Sequence, residues 1–273
     1  MIATEIVDHI LSFLRSDHTT LETCSTVFPQ LVDRHLYSHI TLRSPAAEDH
    51  TDEDDYYPVD PMKFLGLFFE RPQVVLCVSG VRVIITVMPP SLQNVTLDVL
   101  PVISSILTIL SKVQSIELRA EGKLSWDALS SEFCTTFQKC LRLYPIKEAM
   151  ISNINAFPLD SFDDSKHLKK LFLSGQFTGG EGVSTPSYPR LSSLRVESQP
   201  AESQLASDLI KMVSWTKSNS LHTLTLCMHQ HMDLPNFKPL IQACSTTLVN
   251  LELDHDDFCE FDRFVLIIKQ EVQ

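Results

Sequence analysis

The sequence lacks most of the features that mark a catalytic, secreted or membrane-spanning chain. It contains no G-x-S-x-G, H-E-x-x-H or Walker motif, so we expect no enzymatic activity and no cofactor. Its seven cysteines are odd in number and include no C-x-x-C pair, which indicates neither a disulfide framework nor a zinc site. The longest apolar run, Val99–Leu110, contains a proline and two serines and is too short to span a bilayer.

Basic residues are also scarce. The 22 Lys and Arg residues stand against 34 Asp and Glu residues, and the formal net charge is −12. Nucleic-acid binding requires a basic surface, and the sequence shows no Lys/Arg cluster, so we expect protein partners instead. The first residues lack a basic segment and carry Glu5 and Asp8 among apolar residues, which argues against a secretory signal. The expected location is therefore the cytoplasm or nucleus, without membrane contact.

One metal-like spacing is present. His229, His231 and Asp233 alternate, and two imidazoles with a carboxylate can bind zinc. These residues directly follow an apolar strand pattern, where polar turn residues are expected, so we predict no metal site.

A six-residue apolar spacing, L-x-x-L-x-L, recurs along the chain. The copies are Val113, Ile116 and Leu118; Ile146, Ala149 and Ile151; Leu168, Leu171 and Leu173; Leu191, Leu194 and Val196; Leu221, Leu224 and Leu226; and Leu248, Leu251 and Leu253. They begin roughly 20 to 33 residues apart, as in stacked repeats of one strand and one return segment. Each copy predicts a short strand with one apolar face, and stacking buries these faces in a parallel sheet. The alternative is a chance match among the Leu-rich strands of an ordinary α/β protein.

The return segments between strands are predicted from helical periodicity. Helices are expected at Pro61–Glu70, Leu100–Leu110, Trp126–Leu143, Leu205–Trp215 and Pro235–Cys244. One or two buried strands are expected within Val74–Val87, a further loose copy of the apolar spacing at Leu92, Val95 and Leu97, an exposed loop at Gly175–Pro189 and a closing tail at Glu260–Val272.

The N-terminal region predicts three short helices. Residues 4–15 place their apolar side chains in an arc of about 160°, which is wider than one short neighbouring helix covers, so part of it is expected to face a second partner. Thr19 and Glu22 have the spacing of a capping box for a second helix, which Pro29 is expected to end. A third helix is predicted at Gln30–Tyr37, and residues 39–42 read as extended.

These helices resemble an F-box. The resemblance rests on Glu5–Leu14 (EIVDHILSFL), followed by Leu21, Cys24, Val27 and Arg34–Tyr37 (RHLY). The whole chain resembles the fungal proteins that join an F-box to degenerate leucine-rich repeats. It departs from the family pattern in two places. Ile2-Ala3 replaces the usual Leu-Pro, and the Trp often found after the second helix is missing, with Phe28-Pro29 nearby instead.

The resemblance implies a function. The N-terminal helices would dock on the Skp-type adaptor of a cullin-RING ubiquitin ligase, and the repeats would select a protein substrate. The implied adaptor contacts are Glu5, Ile6, Ile10, Leu11, Leu14, Leu21, Cys24, Val27 and Phe28. The alternatives are a helical cap that closes a free-standing repeat scaffold, with no ligase, and an α/β hydrolase or metal enzyme.

We therefore predict an α/β chain with three regions. A three-helix F-box-like module occupies residues 1–43, an acidic linker or loop residues 44–61, and an irregular leucine-rich-repeat-like solenoid with a parallel sheet residues 62–273. The linker, SPAAEDHTDEDDYYPVDP, has seven carboxylates and almost no apolar content, as solvated segments do.

A substrate surface is predicted on the open face of the sheet. The residues between the apolar positions of each copy point to this face, and neighbouring strands lie about 4.8 Å apart. Lys169, Lys170, Phe172 and Arg195 would then form a basic strip with one aromatic ring, which suits an acidic or phosphorylated peptide. Alternatively, this face is only solvated, or the acidic segment 48–55 covers it.

Overall fold

The protein is an α/β protein dominated by parallel β-sheet, which confirms the predicted class. The computed structural model describes residues 4–14, 17–44, 56–87, 99–178, 190–197, 220–228, 238, 240–242, 244–255 and 264–267. The chain divides into two compact units. The first contains Met1–Glu121 and Ser130–Cys140, and the second contains Gly122–Leu129 and Leu141–Gln273.

Three short helices open the first unit. Helix α1 spans Thr4–Phe13, α2 spans His18–Cys24 and α3 spans Pro29–Leu36. Their shared core consists of Val7, Leu11, Leu21, Val32 and Leu36, with Leu14, Cys24 and Leu31 packed against it. The three helices predicted for this region are confirmed, and each buries a narrow stripe of its surface.

The predicted capping box of the second helix is wrong. Asp17 caps α2, because its carboxylate accepts a hydrogen bond from the Thr20 backbone N–H at 3.0 Å and another from the Thr20 hydroxyl at 2.6 Å. Glu22 accepts instead from the Tyr57 hydroxyl. Asp and Thr are both favoured caps, and the sequence pattern alone does not show which of Asp17 and Thr19 precedes the first turn.

Pro29 also has a different role from the one predicted. Helix α2 has already ended at Cys24, and Pro29 is the first residue of α3. A proline is well suited to this position, since the first N–H groups of a helix have no partner within the helix.

The first unit continues with a parallel sheet and the helices that pack on it. Strands β1 (His39–Ser44), β2 (Tyr57–Val59), β3 (Gly80–Thr86) and β4 (Ser115–Ser125) lie in the order β2-β1-β3-β4. Helix α4 (Pro61–Glu70) is followed by a 3-10 turn (Pro72–Leu76), and the later helices are α5 (Leu100–Ile109) and α6 (Ser131–Leu143).

Apolar residues of β1, β3 and β4 lie in register. Ile40, Val81 and Ile116 form one row, and Leu42, Val83 and Leu118 form the next. All six are at most 1% exposed. Val78, Val81 and Val83 have the same spacing and are at most 1% exposed, so they form a further copy, which the six predicted copies do not include.

The remaining predictions for the first unit are confirmed with changes. Helix α4 has the predicted bounds, and Asp60 caps it by accepting from the Lys63 N–H at 2.9 Å. The segment Val74–Val87 contains one strand, β3, preceded by the 3-10 turn. Part of the predicted linker is a strand, because Tyr57–Val59 pairs with β1, while residues 45–55 lie outside the described ones.

The predicted helix at Trp126–Leu143 is shorter than expected. Trp126–Ala128 forms a 3-10 turn, and α6 begins only at Ser131. The Ser130 hydroxyl accepts a hydrogen bond from the Phe133 N–H at 3.3 Å. Serine competes with helical hydrogen bonding and favours helix starts, so the helix begins here although the apolar periodicity extends further toward the N-terminus.

The second unit is built on a second set of parallel strands. The order is β5 (Glu148–Asn155), β7 (Lys170–Ser174), β9 (Ser193–Glu197), β10 (Thr223–Met228) and β11 (Asn250–His255). Strand β12 (Phe264–Ile267), which lies in the predicted closing tail, pairs antiparallel to β11. Strands β6 (Phe157–Pro158) and β8 (Phe177–Thr178) form a separate short pair.

The repeat spacing sets the register of this sheet. Ala149, Leu171, Leu194, Leu224 and Leu251 form one row, and Ile151, Leu173, Val196, Leu226 and Leu253 form the next. All are buried except Leu253, which is half-buried. The preceding apolar residue of each copy is buried as well. The predicted strands of these five copies are thus confirmed.

The turns that precede these strands also stack. The N–H of Lys169 donates to the carbonyl of Lys147 at 2.8 Å, Ser192 donates to Lys169 at 2.8 Å, His222 to Ser192 at 3.0 Å and Val249 to His222 at 2.9 Å. The carbonyl of each turn therefore accepts a hydrogen bond from the N–H of the next turn. The copies are joined by these bonds as well as by the hydrogen bonds between their strands.

The predicted loop at Gly175–Pro189 is wrong in its first residues. Gly175 has φ = 131°, and a Cβ placed there would lie 2.6 Å from the carbonyl oxygen of Ile154. Only glycine fits this backbone conformation and this contact. Phe177 is 2% exposed and belongs to β8, so the chain stays packed through this point.

Several predictions lie outside the described residues. These are the loose copy at Leu92, Val95 and Leu97, residues 179–189 of the loop, the helix at Leu205–Trp215 and the alternating residues His229, His231 and Asp233. Of the helix predicted at Pro235–Cys244, residues 238, 240–242 and 244 are helical.

Candidate interaction surfaces

Helix α1 is apolar on two sides, and only one side is buried. Val7 and Leu11 are 8% and 2% exposed in the helical core, whereas Ile6, Ile10 and Phe13 are 55%, 53% and 74% exposed. The three exposed residues are four and three positions apart, so they follow one another along the same side of the helix. The predicted excess of apolar surface on this helix is therefore present.

A second apolar site lies in the turn between α2 and α3. Val27 is 67% exposed and Phe28 is 39% exposed. Their backbone N–H groups both donate to the carbonyl of Cys24 at 3.0 Å, which fixes the turn and keeps both side chains outside the core. We call Ile6, Ile10, Phe13, Val27 and Phe28 the helix surface.

The predicted adaptor contacts divide into surface and core. Leu11 and Leu21 lie inside the helical core, where they hold the helices together. Leu14 and Cys24 pack against that core and are half-buried, and Glu5 is exposed. Phe13 is the most exposed residue of the helix surface but is missing from the predicted contacts, although the predicted apolar arc of residues 4–15 includes it.

A polar contact fastens α1 to α3. The Nε2 atom of His35 lies 2.8 Å from the Oδ1 atom of Asp8, and Nη1 of Arg34 lies 3.9 Å from Oδ2 of Asp8. The hydrogen bond with His35 lowers the pKa of Asp8, with a smaller contribution from the charges of His35 and Arg34. This contact and the burial of Val7 and Leu11 are consistent with one rotation of α1, in which Ile6, Ile10 and Phe13 face outward.

Three of the four residues predicted to bind substrate, Lys170, Phe172 and Arg195, lie on one face of the second unit's sheet. Strand register aligns Lys170 with Ser193, and it aligns Phe172 with Arg195. Lys169 is exposed in the turn before β7. We call Lys169, Lys170, Phe172 and Arg195 the sheet patch.

Each basic strand residue of the sheet patch has an acidic neighbour. The Nζ atom of Lys170 lies 2.6 Å from Oε1 of Glu148, and Nη2 of Arg195 lies 3.8 Å from Oδ2 of Asp254. The guanidinium carbon of Arg195 lies 5.3 Å from the ring centroid of Phe172, a cation–π contact. The sheet patch therefore alternates in charge, whereas the sequence predicts a plain basic strip.

The cysteine closest to this face has little nucleophilic character. Burial raises the pKa of the Cys227 thiol to about 11, with smaller effects from Arg195 and Asp254. The Sγ atom lies 3.9 Å from Oδ2 of Asp254. Catalytic cysteines require a thiolate, and therefore a lowered pKa, so Cys227 is a packing residue.

Within the described part of the chain, no group of three or more His, Cys, Asp or Glu side chains is arranged to hold a metal ion. Nor does any helix there have the length and apolar content needed to cross a membrane. Comparison with known proteins found no match, whether to a protein-family model, to a curated protein or to a solved structure. The two surfaces are therefore the features of this chain that indicate its function.

Proposed function

We propose that the protein is the substrate-recognition subunit of an SCF-type ubiquitin ligase. The helix surface binds the Skp-type adaptor, and the sheet patch binds a protein substrate. The F-box-like residues of α1 to α3 support the first contact, and the in-register repeat copies support a leucine-rich-repeat-like solenoid as the substrate domain.

The observation that carries this proposal is the exposure of Ile6, Ile10 and Phe13. These are large apolar side chains on a helix that has already buried Val7 and Leu11 in its own core. Full burial of one such side chain contributes about 1.5–3 kcal/mol, so a partner that covers three half-exposed ones gains several kcal/mol. Exposed apolar patches of this kind mark protein interaction sites.

A single substitution tests the adaptor contact. Ile10→Asp in the full-length protein is expected to abolish co-purification with a Skp-type adaptor, because an unpaired carboxylate in an apolar interface costs several kcal/mol. Ile10 is 53% exposed, so the variant is expected to fold like the wild type, which its thermal unfolding curve checks.

The matched control is Leu143→Asp, which places a carboxylate at a position that is 75% exposed and outside the helix surface. This control is expected to bind the adaptor as the wild type does. Undiminished binding by Ile10→Asp would contradict the proposed adaptor contact. If the wild type itself does not bind, the proposed ligase coupling is wrong, and the free-standing repeat scaffold becomes the leading alternative.

The substrate contact is tested by charge reversal in the sheet patch. The ion pairs of Lys170 and Arg195 are between 33% and 62% exposed, and exposed pairs contribute at most about 1 kcal/mol. An acidic ligand therefore displaces Glu148 or Asp254 at little cost.

Lys170→Glu with Arg195→Glu is expected to reduce binding of acidic and phosphoserine-containing peptides at low salt, where charge pairing is strongest. Fluorescence anisotropy with a panel of such peptides measures this. Lys166→Glu, a reversal at another exposed lysine, serves as the control and is expected to change nothing. Equal peptide binding by all three proteins would move substrate recognition away from the sheet patch.

A further inference from the structure

Helix α4 carries an apolar stripe on its outer side. Phe64 and Phe68 face inward and are 3% and 7% exposed, whereas Met62 and Phe69 are 63% and 84% exposed. Leu65 is half-buried and Gly66 is exposed between them. Spacings of three, four and seven residues place these positions on one side of a helix. We call Met62, Leu65, Gly66 and Phe69 the α4 stripe.

The stripe is complementary to itself. If two copies of α4 run antiparallel and cross between Leu65 and Gly66, Met62 of each copy lies opposite Phe69 of the other, and Leu65 lies opposite Gly66. A Cβ placed at Gly66 meets nothing within 4 Å, so this gap accepts a leucine side chain from outside. A surface in which residue i meets j and j meets i is the requirement for a twofold dimer.

The charges beside the stripe select the same orientation. Lys63 and Glu70 are both exposed and, seven residues apart, lie on the same flank of the helix. In an antiparallel pair, Lys63 of one copy lies beside Glu70 of the other, and this contact occurs twice. In a parallel twofold pair this flank lies on opposite sides of the interface in the two copies, so Lys63 and Glu70 would not meet across it.

We propose that the α4 stripe binds the α4 stripe of a second copy of this chain as an antiparallel, twofold-symmetric helix pair. Helix α4 has ten residues and is therefore about 15 Å long. Its contact area is below that of stable interfaces, so the dimer is weak and forms at high protein concentration. Pairing would double the number of helix surfaces and sheet patches in one particle and so strengthen binding to a partner with repeated sites.

Sedimentation velocity of the full-length protein over a concentration series tests the dimer. The wild-type average mass is expected to rise from 30.9 kDa toward twice that value. Phe69→Glu is expected to remain monomeric at every concentration, because it removes the apolar contact with Met62 of the second copy. Phe69 is 84% exposed, so its replacement is expected to leave the fold intact. Phe13→Glu alters a comparably exposed aromatic residue outside the α4 stripe and is expected to dimerise as the wild type does.

A monomeric wild type at the highest concentration would overturn the dimer and leave the stripe to another occupant, such as a different protein or a lipid surface. The proposed dimer would also be overturned if Phe69→Glu dimerised at the same concentration as the wild type. Neither result bears on the adaptor contact, which uses the helix surface.

The orientation is tested by exchanging the flanking charges. Lys63→Glu alone and Glu70→Lys alone are each expected to weaken dimerisation by about two- to thirtyfold, as loss of two exposed pairs predicts. The double variant restores opposite charges across the pair and is expected to dimerise like the wild type. Failure of the double variant to recover would contradict the antiparallel arrangement.

Discussion

Replacement of Leu171 by alanine is expected to destabilise the protein by about 2–5 kcal/mol. Leu171 is 2% exposed, and the strand register places it between Ala149 and Leu194 in a continuous apolar row. Removal of its side chain leaves a cavity that its neighbours in the row cannot fill. Leu251→Ala, at the equivalent position of the last copy and 7% exposed, is expected to cost a similar amount.

Urea unfolding followed by circular dichroism measures both effects. The control is Lys170→Ala, which alters the exposed residue next to Leu171 and breaks its exposed ion pair with Glu148. It is expected to change the free energy of unfolding by at most about 1 kcal/mol. If Leu171→Ala or Leu251→Ala behaves like this control, the repeat spacing does not define the core at that copy.

Loss of the Glu117 carboxylate is expected to destabilise the protein about as much as Leu171→Ala. The Nε atom of Arg82 lies 2.7 Å from Oε2 of Glu117, and the two side chains are 10% and 9% exposed. Removing one member of a buried ion pair costs about 3–5 kcal/mol, because the other charge stays buried without it. Glu117→Ala is therefore expected to lower the free energy of unfolding by this amount in the same urea experiment.

Two further variants separate this pair from an ordinary surface contact. Arg82→Met combined with Glu117→Leu removes both charges and is expected to recover most of the lost stability. Glu148→Ala removes one partner of a pair that is 49% and 62% exposed and is expected to cost at most about 1 kcal/mol. Equal losses for Glu117→Ala and Glu148→Ala would contradict the buried character of the Arg82–Glu117 pair.

Local periodicity predicted most of the strands and helices. The spacing of apolar residues specifies a strand with one buried face, and each copy can be recognised without knowledge of its neighbours. The helix predicted at Pro61–Glu70 has the same bounds in the structure because a proline and a capping Asp60 mark its start. Where two capping residues compete, as at Asp17 and Thr19, the sequence does not show which one is used.

Contacts between copies were harder to predict. Lys170 and Glu148 form an ion pair because their strands lie side by side in a fixed register. Nothing in the sequence around either residue identifies the other as its partner. Arg82 and Glu117 occupy the same position in successive copies, each between two buried apolar residues. Their pairing becomes predictable only after Val78, Val81 and Val83 are recognised as a copy of the spacing.

The outward side of α1 was only partly predictable. The width of the apolar arc indicates that one neighbour cannot cover it, but which residues face outward depends on tertiary contacts. These are the burial of Val7 and Leu11 in the core and the contact between Asp8 and His35, which are 27 residues apart. In this arrangement Leu11 is buried and Phe13 is exposed. Two of the adaptor contacts implied by the F-box resemblance, Leu11 and Leu21, are therefore core residues, and the exposed Phe13 is not among them.

Hydrogen–deuterium exchange of the full-length protein, with and without a purified Skp-type adaptor, tests the central proposal most directly. The proposal predicts slower exchange in residues 4–14 and around Val27 and Phe28 when the adaptor is present, with no change in the strands that carry the sheet patch. Unchanged exchange throughout α1 at saturating adaptor, or protection confined to the strands of the second unit, would contradict it.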